Sequence, residues 1–129
     1  DANLFKTPGV TLATAVSKQD QLDPFIQKGV NVLMLPDSEG RVDLDALLVE
    51  LADQQINEVL VEAGINLHSA LLHQNLIDEM IIYYAPKFLG AQGRGMFFLD
   101  ELDSMDQVLE RNVVDITPIG KDFRVTVRF

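Results

Sequence analysis

Three short apolar runs, each followed by a segment of helical periodicity, constrain this chain most, because strands separated by helices pair in parallel. The runs are Val10–Val16, Val30–Leu35 and Glu58–Glu62. After the first, Asp23-Pro24 reads as an N-cap and first helical residue. Leu22, Phe25 and Ile26 make an apolar face, and Gly29 supplies the stop. Pro36 closes the second run, and Asp37-Ser38-Glu39-Gly40 is a turn. Asp43 then caps a helix in which Leu44, Leu47, Leu48 and Leu51 recur at helical spacing. Beyond the third run a helix covers about 66–74, with Leu67, Ala70 and Leu71 as its buried stripe.

The character changes after that helix. Glu79–Ala85 is a longer strand closed by Pro86, in which Tyr83 and Tyr84 alternate, one toward the core and the other toward solvent or a partner. A glycine-rich loop, Gly90–Gly95, and an acidic turn, Asp100–Asp103, follow. The hydrophobic period then shortens to two. Val108–Ile119 and Phe123–Phe129 read as a hairpin turning at Gly120-Lys121-Asp122 and adding antiparallel strands to a sheet edge. The expected fold is α/β, with a mixed, mostly parallel sheet flanked by helices and ending in that hairpin. With 129 residues, 47% of them hydrophobic, and no repeat or linker, residues 1–129 are expected to form a single domain.

Charge and cysteine content remove several function classes. Ten Lys and Arg against twenty Asp and Glu give a formal charge of −10, which argues against nucleic acid as a partner, since that needs clustered positive charge. The absence of cysteine removes disulfides and thiolate metal sites and fits a reducing, cytoplasmic setting. No apolar run approaches bilayer length, so no membrane partner is expected.

The junction Glu62-Ala63-Gly64 carries the chemistry. A carboxylate and a glycine stand where an apolar run gives way to a helix, and the free amides of a helix start attract anions. Alone, such a Glu-x-Gly is more often a solvated strand end and a plain turn. Thr14, at the end of the first strand, lies where ligands of parallel sheets gather. His68 and His73 are five apart, so their side chains diverge on the helix and no metal site is expected. The Gly90–Gly95 loop lacks the lysine and hydroxyl of a P-loop, although its Arg94 could pair with a phosphate.

Several spaced motifs agree on one family. Glu62-Ala63-Gly64 with Leu67 and the helix to Leu72, then Leu76-Ile77-Asp78-Glu79, then Tyr84-Ala85-Pro86-Lys87-Phe88-Leu89-Gly90, resemble the reductase domain of the bifunctional riboflavin-biosynthesis deaminase/reductase. The resemblance covers nearly the whole chain and is strongest between Asn57 and Gly90. It implies a dihydrofolate-reductase-like fold, a homodimer, and NADPH-dependent reduction of 5-amino-6-(5-phosphoribosylamino)uracil, a phosphoribosylamino-pyrimidine, to its ribitylamino form.

Carried over by position, Glu62 matches the family's substrate-contacting glutamate, and Gly64, Ile65, Asn66, Leu67, His68, Ser69 and Ala70 match its NADP-binding turn and helix start. Two upstream family motifs, resembling K-x-A-x-S-x-D-G and T-x-x-x-D-x-P, do not occur in these residues. The chain is therefore expected to be the C-terminal portion of a reductase domain, to keep part of the cofactor site and to be inactive alone. No side chain stands out as a catalytic proton donor. Two other readings are a non-catalytic dimerisation or structural half of a larger enzyme, and an unrelated nucleotide-binding α/β module.

Overall fold

In a computed structural model of the protein, residues 3–90, 92–99, 104–105 and 108–129 are described. The acidic turn expected at Asp100–Asp103 lies outside them, as does Ala91 of the glycine-rich loop. The chain divides into two compact units, Asp1–Leu60 and Val61–Phe129.

The first unit is a β-α-β step followed by a helix. A 3₁₀ turn at Asn3–Lys6 precedes β1 (Thr11–Thr14), α1 (Gln19–Ile26), β2 (Asn31–Met34) and α2 (Leu44–Asp53). β1 and β2 pair in parallel from Thr11 opposite Asn31 to Thr14 opposite Met34, as the apolar runs led one to expect. Leu22, Val30 and Leu44 are buried here, and the Phe5 and Phe25 rings meet edge to face at 5.0 Å.

α2 follows its sequence signals. The Asp43 carboxylate accepts the Ala46 N–H at 2.9 Å, satisfying one of the amides that a helix start leaves free.

α1 corrects the expectation at Asp23-Pro24. The helix begins at Gln19, with Lys18 at the N-cap, so Pro24 lies inside it. In so short a helix the proline removes only the N–H that would reach back to Asp20. Asp23, no longer a cap, accepts Gln19 Nε2 at 2.8 Å along one helical turn.

All three α-helices of the described residues end alike. The N–H of Val30 reaches Phe25 O, that of Ile56 reaches Leu51 O, and that of Leu76, after the third helix, reaches Leu71 O, each five residues back. This is the Schellman pattern, which needs a left-handed residue just before the donor. Gly29 (φ +76°), Gln55 (φ +63°) and Asn75 (φ +54°) supply it. Glycine does so without strain and asparagine at little cost, whereas Gln55 carries a β-carbon penalty of about 1 kcal/mol.

The third apolar run departs most from expectation. Residues 58–62 form no strand, since neither sheet of the described residues includes them, and Leu60 is 81% exposed. A strand exists only when a neighbour accepts its ladder of hydrogen bonds, which composition alone cannot secure.

The second unit holds α3 (Ile65–His73) and a three-stranded antiparallel sheet of β3 (Glu79–Tyr84), β4 (Asn112–Ile119) and β5 (Asp122–Arg128), in the order β3-β5-β4. The hairpin is thus as foreseen at Gly120, which takes φ +63° at the first central position of a two-residue loop, where a type II′ turn requires glycine. Parallel pairing in the described residues is confined to β1 and β2, and β3 pairs antiparallel with β5 from Glu79–Arg128 to Tyr84–Phe123. Tyr83 and Tyr84 are both exposed, at 64% and 50%, so neither enters the core of this unit. The buried face of α3 also differs: Ser69, Leu71 and Leu72 are buried, while Leu67 is 39% exposed.

Across the hairpin, Thr117 Oγ1 donates to Asp115 Oδ2 at 2.6 Å and an Arg124 guanidinium N–H donates to the same oxygen at 3.2 Å. These two donors hold the Asp115 carboxyl below its ordinary pKa, the Thr117 hydroxyl contributing most. A lowered folded-state pKa adds stability above the unfolded value near 4, and that stability is lost as pH falls through the folded value. Asp115→Asn is therefore expected to reduce the drop in urea midpoint between pH 7 and about pH 2.5. The difference should be small, because this pair is partly exposed.

Candidate functional site

Gly64 stands at the N-cap of α3 with φ −94° and ψ 177°, ordinary extended backbone open to any residue. A β-carbon built on it meets nothing within 4 Å. Neither conformation nor packing within the described residues thus requires a glycine there. What the glycine does leave is space and an uncapped helix start, because among the described residues no side chain caps α3 and its first turn carries no acidic residue. His68 N is the first amide to bond back, to Gly64 O at 3.1 Å, so the N–H groups of Ile65, Asn66 and Leu67 have no acceptor in the helix. Three amides and the positive end of the helix dipole together can hold a phosphate oxygen.

The remaining expected residues divide by environment. Glu62 and Asn66 are exposed, while Ile65, His68 and Ala70 are half-buried. The His68 ring lies 6.3 Å from that of Phe97, tilted by 56°. Ser69 is only 6% exposed, and its hydroxyl is occupied within the chain: it donates to Ile65 O at 2.6 Å and accepts Phe98 N–H at 2.7 Å. A nitrogen of His73, Nε2, lies 3.2 Å from Phe98 O, so that ring donates to the same residue.

Thr14 belongs to the first unit, as the last residue of β1. There its hydroxyl accepts Val16 N–H at 3.0 Å and its carbonyl accepts Leu35 N–H at 2.9 Å. In the loop between β2 and α2, Arg41 is held by Asp37 and Glu39, each at 3.0 Å. The Asp37 carboxyl also accepts the backbone N–H of Arg41 and of Glu39, and these bonds, that of Arg41 first, lower its pKa. Arg94 is exposed. Among the described residues no group of three histidine, cysteine or acidic side chains could hold a metal, and no helix is long and apolar enough to cross a membrane.

The attachment of Phe98 to Ser69 and His73 is the feature that sequence reasoning missed. Its one local signal is the i, i+4 spacing of Ser69 and His73, which places both side chains on one helix face. Their common partner lies 29 residues beyond Ser69, where no periodicity points.

An α/β chain with parallel β1-α1-β2, an uncapped third helix and a closing antiparallel hairpin has the dihydrofolate-reductase-like architecture of reductase domains. More narrowly, it belongs to the RibD C-terminal domain family, whose model matches residues 2–125. It is 40% identical over 93 residues to the riboflavin biosynthesis protein RibD of Escherichia coli K12, an alignment covering 72% of this chain and 25% of that protein. It is 31% identical over 123 residues to the 5-amino-6-(5-phosphoribosylamino)uracil reductase of Buchnera aphidicola from Acyrthosiphon pisum, covering 95% of this chain and 58% of that one. Among solved structures, Acinetobacter baumannii RibD superposes with a TM-score of 0.83 at 34% identity, over 98% of this chain and 33% of that chain. The chain thus spans between a quarter and three-fifths of the proteins it matches.

Proposed function

We propose that residues 1–129 are the C-terminal portion of a single, cytoplasmic and homodimeric reductase domain that acts on 5-amino-6-(5-phosphoribosylamino)uracil with NADPH in riboflavin biosynthesis. The observation that carries this reading is the family match from residue 2 to residue 125, which runs through the Glu62-Ala63-Gly64 junction. The name of the Buchnera relative, a reductase of that pyrimidine, supports the substrate.

The residues present fit a cofactor phosphate. Gly64 leaves open space in front of three amides that have no acceptor among the described residues, and an anion there would cap α3. In this reading the amides of Ile65, Asn66 and Leu67 bind phosphate, and His68 and Ala70 flank it. Ser69 supports the turn from beneath instead of touching the ligand. Glu62 accepts hydrogen bonds from ribose hydroxyls or pyrimidine amines of the substrate. Bound NADPH supplies the hydride, and the chain's contribution is to position the reacting groups.

Titration of the purified chain with NADPH, followed by cofactor fluorescence, tests this function. Saturable binding with weaker binding of NADH is expected, without turnover of the pyrimidine substrate. Failure to bind at millimolar NADPH would favour a purely structural role, and turnover would overturn the expectation that these residues are inactive alone.

A further inference from the structure

Ser69 joins two parts of the second unit through one hydroxyl. Its proton goes to Ile65 O, in the first turn of α3, and its lone pair takes the N–H of Phe98. The carbonyl of Phe98 is held by His73 one helical turn further on, and the Phe97 ring lies beside His68. Both polar groups of the Phe98 backbone are therefore satisfied by side chains of a helix and not by a neighbouring strand. With 6% exposure, the Ser69 hydroxyl is shielded from water that could replace either partner.

We propose that Ser69 is a positioning residue that couples the Phe97–Phe98 strap to the first turn of α3, so that docking of the strap and occupation of the helix start by a dinucleotide phosphate favour each other. The inference rests on the reading of that helix start as the cofactor's phosphate site. The physical link is short. The strap orients the Ser69 hydroxyl, which holds Ile65 O in the turn whose amides face the phosphate. An anion bound to those amides orders the same turn and so the strap. Such coupling is reciprocal: whatever the strap adds to cofactor affinity, the cofactor adds to strap docking.

Hydrogen exchange of the Phe98 amide, measured by NMR with and without NADPH, reads this coupling directly. In the unsubstituted chain NADPH should slow that exchange several-fold. Ser69→Ala should speed it several-fold to roughly tenfold in the free protein, the effect of losing one part-buried hydrogen bond. The same variant should weaken NADPH binding several-fold and make Phe98 exchange insensitive to NADPH. Exchange at Leu71 and Leu72 should be unchanged, which shows that α3 persists. Ser69→Thr, which keeps the hydroxyl, should restore the coupling. His73→Ala, which leaves the Ser69 hydroxyl in place, should also speed Phe98 exchange.

Binding of NADPH to Ser69→Ala as tight as to the unsubstituted chain would overturn the inference and leave the cofactor reading intact. Binding by neither would overturn both.

Discussion

Gly64→Asp is expected to abolish measurable NADPH binding, a loss of at least about 100-fold, while leaving the fold as stable as before or slightly more so. The two effects have opposite signs because they come from the same amides. Aspartate is among the best N-cap residues and gains a few tenths of a kcal/mol over glycine by accepting an amide of the first turn. Its backbone needs are met, since φ at this position is −94°, and its β-carbon enters open space. The carboxylate then occupies the place assigned to a phosphate, where like-charge juxtaposition costs several kcal/mol. Calorimetric titration with NADPH and a urea melt of the same variant separate the two consequences. A variant that melts early and binds weakly would show instead that Gly64 serves the fold.

The largest loss of stability is expected at Leu22. It is the most buried apolar side chain among the described residues, at 3% exposure, on α1, the helix that lies beside β2. Leu22→Ala removes three carbons and leaves a void, a change that costs about 2–4 kcal/mol in packed cores. Few other residues can compensate, because only Val30 and Leu44 are comparably buried among the described residues of the first unit. Val49→Ala, on the exposed side of α2 at 62% exposure, should shift the urea midpoint little. A Leu22→Ala effect as small as that of Val49→Ala would mean that this helix face is not a core.

What could be read from the sequence was local. The Asp43 cap with its leucines, the Gly29 stop and the Gly120 turn are each set by a few neighbouring residues, and each stands where its chemistry requires; the left-handed Gln55 and Asn75 carried no such signal. Pro24 misled for the same reason: a strong local start signal lost to a helix that begins earlier and tolerates one missing N–H. The 58–62 segment has the composition of a buried strand, yet strand formation depends on a partner that composition does not name. The helix start at Gly64 was legible because glycine, helix and flanking motifs are contiguous. The strap on Ser69 was not, since a backbone donor 29 residues away leaves no trace in side-chain pattern.

Amide chemical shifts of the chain during NADPH titration test the assigned cofactor site most directly. Ile65, Asn66 and Leu67 should show the largest, saturable changes, tracking one dissociation constant and vanishing in Gly64→Asp. Saturable binding that leaves these three amides unmoved, or shifts that survive in Gly64→Asp, would contradict the assignment of the α3 start as the phosphate site.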